Sequence, residues 1–119
     1  MPARLCELCA STLVILGALT PVAVAQSGST SEEEAQGFFL AGRAAYDEGR
    51  YEDALQRFEA AHELSGRSEL LYNIGLAADR ARHDRRAVDA YEAFLAERPD
   101  TPYRESVEGR LRAIRRAMA

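Results

Sequence analysis

The sequence predicts an all-α fold of two helix-turn-helix hairpins followed by a C-terminal capping helix. Apolar residues recur at helical spacing through the chain, and turn-forming residues interrupt that spacing at regular intervals. Shifting the chain by 33 residues also lays the second half of the pattern on the first. With 119 residues, 47% of them hydrophobic and 29% charged, there is material for one small domain.

Residues 1–25 read as a secretory signal peptide rather than as part of that domain. Arg4 lies near the start, Leu8 to Leu19 is uncharged and mostly apolar, Pro21 breaks the run, and Ala23-Val24-Ala25 offers an A-x-A cleavage site. An uncleaved membrane anchor is the alternative, because the uncharged stretch approaches the ~20 residues that span a bilayer. Cys6 and Cys9 form a C-x-x-C pair, a pattern used elsewhere for metal or redox chemistry. Cleavage would remove both and leave a cysteine-free chain, with export to the periplasm or cell envelope as the expectation.

Residues 26–30 read as a polar linker, and the domain is expected over 31–119. Ser31 with Glu34 forms a capping-box pattern, and Glu32, Glu33 and Glu34 complement the positive end of a first helix. Cation binding is the less economical reading of that acidic run.

In the first helix Phe38, Ala41, Gly42 and Ala45 share one face; in the second, Tyr51, Ala54, Leu55, Phe58 and Ala61 do the same. Gly49 between them can leave a helix in the left-handed region without a Cβ penalty. Small residues let the two backbones approach while Phe38, Tyr51 and Phe58 fill the space beside them, which makes an αα-hairpin. The 33-residue shift then sets Phe38 on Leu71, Ala41 on Ile74, Gly42 on Gly75, Ala45 on Ala78, Ala54 on Ala87, Phe58 on Tyr91 and Ala61 on Phe94.

This order of small and aromatic positions resembles the tetratricopeptide repeat, a helix-turn-helix unit of ~34 residues. Repeat one covers 35–67 and repeat two 68–101. Two features depart from the family: Ala45 and Ala78 stand where a tyrosine is usual, and Arg82-His83-Asp84 lacks the Gly and Tyr of the first turn.

Residues 102–119 are expected to cap the stack. Thr101 is placed as N-cap and Pro102 at the first helical position. Tyr103, Val107, Leu111, Ile114 and Met118 form one apolar stripe among arginines. A basic amphipathic helix lying on a membrane surface is the alternative.

No catalytic constellation is present in the sequence. His62 and His83 fit neither zinc-ligand nor triad spacing, Ser65 near His62 is a common helix-end coincidence, and the glycines follow the repeat rather than a phosphate loop. The reading is therefore not an enzyme, with no cofactor and no metal. A net charge of -4 and a pI near 5.2 disfavour nucleic acid. The charge is uneven: residues 26–79 carry 4 Arg against 11 acids, and residues 80–119 carry 10 Arg against 7.

The resemblance implies a concave surface, lined by the first helix of each pair, that holds a peptide or helix of a partner protein. On that basis Phe39, Arg43 and Tyr46 of the first helix and Tyr72, Asn73, Leu76 and Arg80 of the third would face the ligand. Completion of the packing between hairpins is the competing role for their aromatic and aliphatic members. The family's clamp for chaperone tails matches only at Asn73. Self-association remains the rival reading, since two repeats fall short of the three or so that usually make a stable stack. Membrane contact would come only through an uncleaved signal or a weak surface interaction.

Overall fold

The computed structural model describes residues 27–119, so the signal-peptide expectation, Cys6 and Cys9 lie outside the described residues. Among the described residues there are five helices and no strand: α1 (Ser27–Asp47), α2 (Tyr51–Ser65), α3 (Glu69–Arg80), α4 (Asp84–Glu97) and α5 (Arg104–Met118). Packing follows chain order. α1 pairs with α2 and α3 with α4, α2 joins the two hairpins through α3, and α5 lies on α4.

The first turn closes as the glycine predicts. Gly49 has φ 79°, its N–H donates to the Tyr46 carbonyl at 3.0 Å, and the Arg50 N–H donates to the Ala45 carbonyl at 2.8 Å. These two bonds make a Schellman motif. The second turn has the same wiring without the glycine. Arg82 takes φ 67°, its N–H donates to Asp79, and the His83 N–H donates to Ala78. A non-glycine residue there costs about 1–2 kcal/mol, so the second hairpin keeps the geometry of the first at an energetic cost.

Both hairpins also use one close contact. A Cβ on Gly42 would sit 2.7 Å from the Phe58 ring, and one on Gly75 would sit 2.5 Å from the Tyr91 ring. Each aromatic ring therefore lies directly on the backbone of its partner helix. Ala45, Ala54, Ala61, Ala78, Ala87 and Ala90 are buried around these contacts, in a core that continues through Ile74 and Phe94 to Ile114. Phe38 and Ala41 are only half-buried, because α1 has no preceding described helix against it.

Two expected helix starts are corrected. α1 is already helical at Ser27, the first described residue, so residues 27–30, expected as linker, are helix and the Ser31–Glu34 pair sits inside it. Glu32 pairs with Arg67 rather than with a helix terminus at Ser31. No proline stops the helix there, and each added residue gains a hydrogen bond once a helix exists.

α5 begins at Arg104, not at Pro102. Thr101 to Arg104 form a β-turn closed by the Arg104 N–H on the Thr101 carbonyl at 3.2 Å, with Tyr103 at φ -88°, ψ 2°. This is type I geometry, which favours proline at its second position. Val107, Leu111 and Ile114 of the predicted stripe are buried, whereas Tyr103 and Met118 at its ends are 50% and 43% exposed.

Among the described residues, five arginine–carboxylate ion pairs and one carboxylate–imidazole contact join different elements. They are Glu32–Arg67, Glu52–His83, Glu59–Arg86, Glu69–Arg98, Asp79–Arg110 and Glu92–Arg115. In each the acid precedes its basic partner in the chain.

Candidate functional site

A groove runs between α1 and α3. Its middle is a cavity of about 260 Å³ lined by Arg43, Tyr46 and Asp47 of α1 and by Asn73 and Leu76 of α3, with Phe58 of α2 as its floor. An adjoining cavity of about 180 Å³ holds Phe39 on the α1 side and shares Asn73 on the α3 side. Five of the seven predicted residues thus line these two cavities, which share Asn73. Helical periodicity explains the selection: Phe39, Arg43 and Tyr46, like Asn73 and Leu76, lie three or four residues apart on one helix face.

The groove has a half-buried aromatic wall. Phe39 packs on the Phe58 ring with centroids 6.1 Å apart. Tyr46 meets Tyr51 edge-on at 5.1 Å, and burial raises its phenol pKa above the ordinary 10, more than Arg80 lowers it. The Arg43 side chain is exposed and makes no ion pair or hydrogen bond with another described residue. Asn73 is already engaged, its Nδ2 donating to the Glu69 carbonyl at 3.1 Å.

Tyr72 and Arg80 lie elsewhere. Tyr72 stacks on Tyr103 at 4.7 Å with the rings 10° from parallel, and it touches Phe94 at 5.4 Å. It ties α3 to α4 and to the start of α5, which is the packing role weighed against binding. Arg80 donates from Nη2 to the Tyr51 hydroxyl at 2.6 Å, and its guanidinium carbon lies 4.8 Å from the centre of that ring. It therefore bridges the hairpins one turn beyond Leu76.

Sequence reasoning missed Phe58 as the groove floor, because its periodicity marks it only as core. It also missed the clamp from α3 to α5, in which Arg110 donates from Nε and Nη2 to the two oxygens of Asp79, each at 2.8 Å. Hydrogen bonding to that carboxylate raises the Arg110 pKa above its ordinary value. Of the two histidines, His83 lies 2.5 Å from Glu52. The Ser65 hydroxyl donates to the Ala61 carbonyl at 2.8 Å, within its own helix.

No protein-family model matches the chain. No helix among the described residues is long and apolar enough to cross a membrane.

Proposed function

We propose that this protein is a non-enzymatic interaction scaffold, tetratricopeptide-like in design and exported to the periplasm or cell envelope. It holds an extended peptide or a helix of a partner protein in the groove between α1 and α3. The observation that carries the reading is the groove itself: aromatic and aliphatic walls from Phe39, Tyr46 and Leu76 beside a guanidinium, Arg43, with no partner among the described residues. Aromatic and arginine side chains are the usual energetic anchors of protein interfaces. Docking on a lipid surface through α5 has less support, since Arg104, Arg110 and Arg115 are all held in ion pairs.

The test is a photo-crosslinking residue at position 76 in the full chain in cells, with one at the exposed position 56 as control. Capture of the same foreign protein from 76 and not from 56 supports the groove. Capture of the chain itself from 76 would replace this reading with self-assembly. Equal capture from both positions would remove the groove as a site.

A further inference from the structure

Beyond Leu76 the α3 surface opens into a second cleft of about 450 Å³, between the α3–α4 turn and the last turns of α5. It gathers three guanidiniums from three parts of the chain: Arg80 at the end of α3, Arg82 in the turn and Arg110 of α5. Asp79 accounts for Arg110, and Tyr51 occupies one nitrogen of Arg80. The Arg82 side chain is exposed and makes no ion pair or hydrogen bond with another described residue. Asp84 is the other carboxylate of the lining, so three cations face two anions. On the α5 side the lining includes the small residues Ala113 and Ala117.

Arg82 has the φ of 67° that Gly49 adopts as 79° at the equivalent point of the first hairpin. Folding alone would favour glycine there, because only glycine avoids the steric cost of the left-handed region. The position instead presents a cation at the cleft. Asn73, Leu76 and Arg80 follow one another at helical spacing along α3, so the groove and the cleft are successive stations on one track. Seven residues of helix rise ~10 Å, about the length of three extended peptide residues.

We propose that this cleft is a carboxylate-recognising subsite that continues the groove. It takes the acidic side chains of the bound segment against Arg82 and Arg80, with short aliphatic groups against Ala113 and Ala117. The inference rests on the peptide-binding reading above and adds a polarity to it. The acidic end of the ligand lies toward α5, where residues 80–119 carry 10 Arg against 7 acids, and away from residues 26–79, which carry 4 against 11.

The test uses two fluorescent peptides of equal length and apolar content, one ending in glutamates and aspartates, the other with glutamine and asparagine in their place. Anisotropy titrations are run on the full chain, on Arg82→Gly and on Arg82→Gln. The acidic peptide is expected to bind about tenfold more tightly than its amide twin, and both variants should remove that preference. Arg82→Gly should melt at a higher temperature than the parent, which separates lost binding from lost folding.

A preference that survives in both variants overturns the subsite, as does failure of the acidic peptide to bind. Inorganic phosphate raising the melting temperature, in an Arg82-dependent way, as much as the acidic peptide does would make the cleft a small-anion site instead. Salt-sensitive self-association abolished by Arg82→Gly would make the occupant a second copy of this chain. A crosslinker at position 76 separates the two readings. If it traps both peptides while Arg82→Gly changes neither affinity, the groove stands and the subsite falls; Arg82-dependent binding with no trapping at 76 means the reverse.

Discussion

At Tyr91 the phenol oxygen is buried with no hydrogen-bond partner among the described residues, while the ring lies against Gly75. A buried polar atom left unpaired destabilises a fold by about 1–3 kcal/mol, and Phe58 at the equivalent position shows that the site works without a hydroxyl. Tyr91→Phe should therefore raise stability by about 1 kcal/mol in urea unfolding at neutral pH. Burial raises the Tyr91 pKa well above the ordinary 10, and burial raises those of Tyr46 and Tyr72 in the same direction. The unfolded chain then loses these protons first, so stability is complete below pH 10 and falls as the pH rises past it. A group ionised only in the unfolded state costs about 1.4 kcal/mol per pH unit, and unfolding curves of Tyr91→Phe should show a shallower alkaline decline than the parent. At Gly42 and Gly75 even one methyl group overlaps a ring, so Gly42→Ala or Gly75→Ala should cost about 1–3 kcal/mol by the same assay.

Among the elements, the α3–α4 turn and α5 are the most informative. Arg82→Gly relieves a left-handed arginine and should add about 1 kcal/mol to stability, read as a higher denaturation midpoint with an unchanged slope. α5 is held by Val107, Leu111 and Ile114 and by the Asp79–Arg110 clamp. Leu111→Ala should cost about 2–5 kcal/mol. Asp79→Ala should cost about 1 kcal/mol, with faster amide exchange in α5 than in α1 or α2. The hairpins were legible in the sequence because the spacing of Gly42, Gly49, Phe58 and their counterparts leaves little freedom for two packed helices. The placement of Phe39, Arg43, Tyr46, Asn73 and Leu76 beside the cavities between α1 and α3 was legible for the same reason. The helix starts were less so: Pro102 has one φ that suits both a first helical turn and the second position of a β-turn, and only the docking of Tyr103 on Tyr72 distinguishes them. Tyr72 itself was ambiguous because periodicity fixes a face, whereas the angle between hairpins decides whether that face meets a groove or a neighbour. The left-handed Arg82 was within reach, since the 33-residue shift sets it on Gly49.

At the scale of the molecule, the side-chain contacts that join acids to bases of other elements among the described residues all run one way, from an acid early in the chain to a base later in it. This polarity accounts for much of the uneven charge along the stack. Most of these pairs are exposed on both sides, so each contributes at most about 1 kcal/mol and is weakened by salt. Division between Gly66 and Arg67 would leave 3 arginines against 9 carboxylates in residues 27–66, and 11 against 9 in residues 67–119. The two pieces would carry opposite net charge and attract each other, and the joint they reform is keyed. Placed in the reverse order, the forward-reaching carboxylates of one piece and the guanidiniums of the other would face water instead of each other. The stack has a head and a tail written into its ion pairs, independent of any ligand.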